Sequence, residues 1–164
     1  MSGTQPSSEI LNQVSAAFRN LMVLREGNRT TVYPDSRGLP TVGIGHLVVP
    51  ADNLALGDVI SAAQVDVLFT ADSAGALTAA WTQAGLAGIA SSNFIPYLAS
   101  VNFQLGVDWI GKFPATWQMI LNGAYTDAAN ALDGTLWQHQ TPVRVQDFQQ
   151  ALLALPPKAP VASA

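Results

Sequence analysis

The sequence of 164 residues contains no cysteine, only two lysines and only two histidines. The lack of cysteine excludes disulfides, and so few histidines argue against a zinc site. Only 11% of residues are charged and the seven Lys and Arg are scattered, so the basic surface typical of nucleic-acid binding is missing. Gly, Pro, Asp or Gln interrupts every apolar run before it reaches the length of a membrane span. We therefore expect no metal, no nucleic acid and no stable membrane insertion.

The chain does contain enough apolar material for a core. Hydrophobic residues make up 49% of the sequence, and the formal net charge is −4. A chain of this length is about the size of one domain, so we predict a single domain over residues 1–164.

The most informative stretch begins where a first helix is expected to end. Apolar residues recur at helical spacing through residues 10–22, with Ser7 or Ser8 placed to cap the helix. Gly27 occupies a position where helices commonly stop. This pattern predicts a helix whose last turn carries Glu26.

The residues that follow change to strand and turn chemistry. Strand-forming residues occupy 30–33, turn residues occupy 34–38, and a second strand-like run occupies 41–44. We predict a β-hairpin here. A helix end followed by a hairpin can present one carboxyl group from each element, Glu26 and Asp35.

Two facing carboxyl groups suit glycoside hydrolysis. One carboxyl donates a proton to the leaving oxygen, while the other, ionised, activates a water or attacks the sugar. The spacing of Glu26 and Asp35 is weak evidence by itself, since an aspartate in a turn is more often a turn cap.

The whole pattern is more specific than that spacing. Glu26, eight residues, Asp35, five residues, Thr41 and then Gly-Ile-Gly-His46 resembles the phage-type lysozymes, the muramidases of glycoside hydrolase family 24. The resemblance implies that Glu26 is the general acid and Asp35 the second catalytic carboxylate. It also implies that Thr41 helps to hold the attacking water, and that no cofactor is needed.

The resemblance extends into the C-terminal half, where 101–106 and 136–144 match the family in order and spacing. In that family a glutamine and a tryptophan lie together on the wall of the substrate cleft. The substrate-binding candidates are therefore Leu47, Phe103, Gln104 and Trp137.

Three residues receive supporting roles from the resemblance. Arg144 aligns with an arginine that ion-pairs the catalytic glutamate, so it should hold Glu26 in place. His46 aligns with a histidine that pairs with an aspartate of the long helix, here Asp72, and this pair should stabilise the small lobe without chemistry. Taken alone, a single histidine or arginine is more often structural or solvated.

The predicted fold is α+β and lysozyme-like, with a small β-hairpin lobe over about 1–60 and a helical C-terminal lobe over about 82–156. A long helix over about 61–81, capped by Ser61 and Gln64, joins them. Residues 85–92 are predicted to be a connection, and 157–164 a tail. Further helices are predicted over 95–105, 113–121, 126–132 and 142–155, the last with Thr141 as its cap and Pro142 at its first position.

The implied function is cleavage of the β-1,4 bond between N-acetylmuramic acid and N-acetylglucosamine in peptidoglycan glycan strands. Two alternatives stay open, a lytic transglycosylase and a virion-associated structural or wall-binding subunit. Asp35 and Thr41 argue against the transglycosylase, which needs no water-activating carboxylate.

The start of the sequence lacks a basic segment followed by an apolar one, which secretory signals contain. We therefore expect the protein in the host cytoplasm before lysis, acting afterwards on the cell wall in the periplasm. A monomer is expected, either free or as part of a phage particle. The acidic balance departs from the family, whose members are commonly basic.

Overall fold

The computed structural model describes residues 6–158. Within that range the chain forms eight α-helices and one three-stranded antiparallel sheet, so the predicted α+β class is confirmed. The helices are α1 Ser8–Glu26, α2 Ala62–Ala87, α3 Ile95–Leu105, α4 Trp109–Lys112, α5 Pro114–Leu121, α6 Tyr125–Asn130, α7 Leu136–Gln140 and α8 Pro142–Leu153. The strands are β1 Arg29–Pro34, β2 Pro40–Gly43 and β3 His46–Leu47, and a short 3-10 helix covers Pro50–Asp52.

The first helix begins and ends where its sequence predicts. The Ser7 hydroxyl accepts a hydrogen bond from the Ile10 N–H at 3.3 Å, which satisfies one of the free donors of the first turn. At the other end Gly27 adopts a φ of 80°, a conformation that costs glycine little and terminates the helix directly after Glu26.

The sheet has the order β1-β2-β3, so the predicted hairpin is confirmed and a third strand is added. Tyr33 pairs with Thr41, and Thr41 pairs in turn with Leu47. The sequence did not reveal β3, because two residues after a tight Gly43–Gly45 turn are too few to show strand periodicity.

The predicted capping box opens α2. The Ser61 N–H donates to the Gln64 side chain at 2.8 Å, and the Ser61 hydroxyl accepts from the Gln64 N–H at 3.2 Å. The helix continues to Ala87, so the prediction of a connection from residue 85 was wrong at its start. Alanine-rich sequence around Gly85 keeps the helix intact, and it ends at Gly88 with a φ of 69°.

The C-terminal half is helical, as predicted, with α3 at the predicted bounds and α5 and α6 within a few residues of theirs. The short helices α4 and α7 were not predicted. Thr135 caps α7 by accepting a hydrogen bond from the Gln138 N–H at 3.1 Å. Pro142 begins α8 as predicted, but the Thr141 side chain makes no capping hydrogen bond.

The chain divides into two compact units, and the division falls inside α1 and α2. The smaller unit is Arg19–Gly75, whereas the described residues through Phe18 and from Ala76 onward form the larger unit. The predicted small lobe over about 1–60 included the whole of α1, but the first part of that helix groups with the larger unit.

Each unit has its own apolar core. In the smaller unit the buried side chains include Met22, Val32, Val42, Ile44, Ile60, Val65 and Phe69. In the larger unit they include Phe18, Phe94, Leu98, Trp109, Ile120, Leu132, Trp137, Val145, Phe148 and Leu152. Among the described helices, none is both long and apolar enough to cross a membrane.

The chain after α8 has no regular structure as far as it is described, through Lys158. The Lys158 ammonium group donates to the Leu121 carbonyl at 2.6 Å. A side-chain carbon added to Gly123 would lie 2.6 Å from the Lys158 Cβ, so this part of the predicted tail is closely packed. The rest of that prediction, residues 159–164, lies outside the described residues.

Candidate active site

Glu26 is the last residue of α1, and its partly buried side chain lies against the turn that follows β2. A Cβ placed on Gly45 would lie 3.2 Å from the Glu26 Cγ and 3.3 Å from its Oε2. Gly45 also has a φ of 72°, which glycine adopts readily. The second glycine of the Gly-Ile-Gly-His run therefore leaves the space that Glu26 occupies.

Asp35 lies in the turn between β1 and β2, with both carboxylate oxygens engaged. Its Oδ1 accepts hydrogen bonds from the backbone N–H groups of Arg37 at 2.8 Å and Leu39 at 2.9 Å. Its Oδ2 accepts from the Arg37 Nε at 3.2 Å and Nη2 at 3.1 Å. Asp35 is therefore a turn cap, as its position in the sequence suggests, and its side chain is 20% exposed.

These contacts favour the ionised carboxylate. The hydrogen bond from the Leu39 N–H lowers the pKa of Asp35 most, and the Arg37 N–H and guanidinium lower it further, against a smaller opposing effect of desolvation. A carboxyl group that stays ionised is suited to act as a base or nucleophile and unsuited to donate a proton.

Thr41 is joined to Asp35 through the peptide groups of Leu39. The Leu39 carbonyl accepts the Asp35 N–H at 2.8 Å and the Thr41 hydroxyl at 3.2 Å. Paired residues of neighbouring strands place their side chains on one face, so Tyr33, Thr41 and Leu47 share a face of the sheet. Thr41 is only 6% exposed, whereas Leu47 is 43% exposed and accessible to a ligand.

His46 lies between two carboxylates. Its Nδ1 is 2.7 Å from the Asp72 Oδ2, which is the pairing expected by resemblance, and its Nε2 is 3.0 Å from the Asp52 Oδ2. Asp52 also accepts the Val49 N–H at 2.7 Å. The sequence did not reveal Asp52, because nothing in its surroundings distinguishes it from an ordinary loop aspartate.

The two carboxylates change the protonation of this histidine. Burial alone would lower the pKa of His46, but hydrogen bonds and charge from Asp52 and Asp72 outweigh it and raise the pKa above its usual value. Hydrogen bonds from the Val49 N–H and from His46 lower the pKa of Asp52. The arrangement is a charged triplet that supports the smaller unit.

In the larger unit the structure brings Gln104 and Trp137 together. The Trp137 Nε1 donates to the Gln104 Oε1 at 2.9 Å, and the Gln104 Nε2 donates to the Thr141 Oγ1 at 2.9 Å. Trp137 is only 5% exposed and packs in the core, with its ring centroid 5.8 Å from that of Phe113. Trp137 is therefore a core residue that also holds the Gln104 side chain, and contact of either residue with substrate stays a prediction.

The two remaining candidates of this unit are also held by its core. Phe103 is partly exposed, and its ring contacts Phe18 edge-on with centroids 6.2 Å apart. Arg144 is 9% exposed and donates from Nη2 to the Ser100 carbonyl at 3.3 Å and hydroxyl at 3.1 Å. Its pairing with Glu26 stays a prediction.

Sequence reasoning missed three contributors to the site: Arg37 on Asp35, Asp52 on His46, and Gly45 against Glu26. A signal for Arg37 existed, because an arginine two residues after a turn aspartate can fold back onto it. Throughout residues 6–158, no group of three or more His, Cys, Asp or Glu side chains is arranged to hold a metal ion.

The small sheet unit, with its partly buried glutamate and its turn aspartate, and the helical unit are together typical of a lysozyme-like protein. The family model described as phage lysozyme matches residues 24–150, and the chain belongs to that family.

Two related proteins support membership of the same family. The chain is similar to probable T4-type lysozyme 2 of Dictyostelium discoideum, with 26% identity over 79% of this chain and 89% of that protein. It is also similar to probable T4-type lysozyme 1 of the same organism, with 24% identity over the same shares.

Proposed function

We propose that this protein is a muramidase, which hydrolyses the β-1,4 bond between N-acetylmuramic acid and N-acetylglucosamine in peptidoglycan. The observation that carries the proposal is that one unit contains both carboxyl groups. Glu26 lies against Gly45, and Asp35 is linked to Thr41 through hydrogen bonds to Leu39. Folding alone does not require all of these residues, and membership of the lysozyme family supports a catalytic role for them.

The chemistry divides between the two carboxyl groups. Glu26 gives its proton to the glycosidic oxygen, which leaves as a hydroxyl group. The water oxygen bonds to the anomeric carbon while one of its protons passes to Asp35. The Thr41 hydroxyl donates to the Leu39 carbonyl, so its oxygen is free to accept the second proton of that water in a hydrogen bond.

This route inverts the anomeric configuration. A covalent intermediate would instead require the two carboxyl groups to lie roughly 5 Å apart, as in retaining glycosidases. The proposed partner is the glycan strand alone, and we propose that the protein reaches it in the periplasm once the host membrane is opened.

The test is the chemistry of the products. Purified peptidoglycan is digested with the protein, and the soluble fragments are separated and weighed by mass spectrometry. The proposal predicts fragments that end in reducing N-acetylmuramic acid, each carrying one added water. Fragments that end in 1,6-anhydro-N-acetylmuramic acid would establish a lytic transglycosylase instead. Intact glycan strands would favour a wall-binding or structural subunit.

A further inference from the structure

The carboxylate of Asp35 has two oxygens in different situations. Oδ1 is held by the backbone N–H groups of Arg37 and Leu39, at 2.8 and 2.9 Å, so it belongs to the turn. Oδ2 is held by the Arg37 guanidinium alone, from Nε at 3.2 Å and Nη2 at 3.1 Å. Oδ2 is therefore the oxygen available to accept a proton, because a proton on Oδ1 would disrupt the backbone hydrogen bonds of the turn.

The guanidinium that contacts Oδ2 is mostly in solvent. The Arg37 side chain is 70% exposed, whereas the Asp35 side chain is 20% exposed. An exposed arginine adds little to folding stability through one ion pair. Its planar fork nevertheless fixes the direction of an acceptor oxygen, and a single lysine ammonium cannot do this equally well.

We propose that Arg37 is a positioning residue of the reaction, whose guanidinium holds Oδ2 of Asp35 in a fixed direction and faces its negative charge. The inference deepens the proposed function and rests on it. Arg37 acts through Asp35 and needs no contact with the sugar.

The electrostatics of the turn support this role. The Leu39 N–H lowers the pKa of Asp35 most, and Arg37 adds its backbone hydrogen bond, its side-chain hydrogen bonds and its positive charge. Among the charged side chains of the described residues, Arg37 is the one in direct contact with the Asp35 carboxylate. The other ionisable side chain of the proposed reaction is Glu26, which lies against Gly45.

The chain supplies a matched control in the same sheet. Arg29, on β1, carries the same charge, but its guanidinium carbon lies 4.3 Å from the centre of the Tyr33 ring. Arg29→Gln therefore changes the net charge as Arg37→Gln does, without removing a contact to Asp35. This separates a local effect from a general change in attraction to an anionic wall.

The experiment compares pH profiles of kcat and kcat/KM on peptidoglycan for wild type, Arg37→Gln, Arg37→Lys and Arg29→Gln. In Arg37→Gln we expect the acidic limb to move to higher pH, with activity at the acid end falling roughly two- to fivefold relative to the plateau, the range that an exposed ion pair provides. Arg37→Lys should restore part of the shift, and Arg29→Gln should show none. High salt should move the wild-type limb toward that of Arg37→Gln.

A second readout does not depend on activity. Carboxyl carbon NMR of Asp35 in wild type and Arg37→Gln reports its titration directly, and the variant should titrate at higher pH. If the proposed function fails, no variant hydrolyses peptidoglycan but this difference persists. Titration of Asp35 at the same pH in both proteins would overturn the inference, and so would a loss of activity in Arg37→Gln by one constant factor at every pH.

Discussion

The two units differ in the hydrogen-bond partners that they provide for their less exposed polar side chains. The smaller unit, Arg19–Gly75, relies on ionised partners. His46 is held by two carboxylates, and Asp35 is held by Arg37 and by the backbone. At its surface Arg19 pairs with Asp66.

The larger unit buries Arg144, but most of its buried polar side chains are neutral and lie within an apolar core. The Gln83 Nε2 donates to the Asn102 Oδ1 at 3.0 Å, and the Asn102 Nδ2 donates back to the Gln83 Oε1 at 2.9 Å. The Trp109 indole N–H donates to that same Gln83 oxygen at 3.2 Å. Gln104, Trp137 and Thr141 form a second neutral set.

The difference predicts which conditions each unit responds to. Amides and indoles do not titrate, so the stability of the larger unit should depend more on side-chain volume, and less on pH near neutrality, than that of the smaller unit. The smaller unit should respond to pH and salt through its charged contacts. The candidate catalytic residues Glu26, Asp35 and Thr41 all lie in this more responsive unit.

The largest expected effect on stability is in the apolar core of the larger unit. Leu98 is 1% exposed, so Leu98→Ala should lower the free energy of unfolding by about 2–5 kcal/mol, equally at mildly acidic and mildly alkaline pH. Leu153, 56% exposed on α8, is the matched control, and Leu153→Ala should change stability by less than about 0.5 kcal/mol. Urea unfolding at two pH values measures both, and equal losses would contradict the assigned core.

The second prediction concerns activity and the position of the Glu26 side chain against Gly45. Gly45→Ala places a Cβ 3.2 Å from the Glu26 Cγ, so the carboxyl group must move and activity should fall about tenfold or more. Gly57 also has a positive φ, 91°, but a Cβ there meets nothing within 4 Å. Gly57→Ala should lose stability through backbone strain and keep its activity per folded molecule. Equal activity losses in both variants would show that the Gly45 contact does not position Glu26.

The smallest effect tests the charged triplet. A group whose pKa is raised on folding stabilises the fold fully below its unfolded pKa, and the contribution is lost as pH rises through the folded pKa. Because the pKa of His46 is raised, its contribution to stability is fully present at mildly acidic pH and is lost as pH rises through neutrality. Asp72→Asn should therefore lower stability by about 1–2 kcal/mol at mildly acidic pH, and by less at alkaline pH, with activity largely intact.

The larger unit provides the control for that variant. Asp108 pairs with Lys112 at 3.2 Å, but both side chains are at least half exposed. Asp108→Asn should change the unfolding temperature little at any pH. An Asp72→Asn protein with wild-type stability at every pH would remove the structural role of the triplet.

Much of the fold could be predicted from local sequence. α1, the hairpin, α3 and the start of α8 each carry caps, turn residues or a clear apolar period. The features that were missed are short or non-local. β3 and α4 are too short for periodicity. The helix α2 continues through Gly85 because the alanines on either side of it, Ala84 and Ala87, are both buried.

The residues of the candidate site divide in the same way, into those that local sequence indicates and those that depend on contacts between distant parts of the chain. The linear pattern made Glu26, Asp35 and Thr41 candidates because they lie in one stretch of chain, and their catalytic roles stay a prediction. Asp52 could not be predicted, since its contact with His46 depends on how the loop after β3 folds back. The burial of Trp137 agrees with the usual place of a tryptophan in a core. Its ring contacts with Phe113 and Phe148 could not be predicted, because they depend on how helices far apart in the sequence pack together.

The most direct test of Glu26 as the general acid of a muramidase is a lysis assay. Wild type and Glu26→Gln, at equal folded concentration, are added to outer-membrane-permeabilised Gram-negative cells, and lysis is followed as loss of turbidity. We expect rapid clearing by wild type and a loss of roughly 100-fold or more in the rate of clearing by Glu26→Gln, the effect of removing a general acid. The two proteins should share the same unfolding temperature to within a few degrees. Equal clearing by both would contradict the assignment of Glu26 as the acid. No clearing by either, repeated at low salt because of the acidic charge balance, would contradict the muramidase proposal itself.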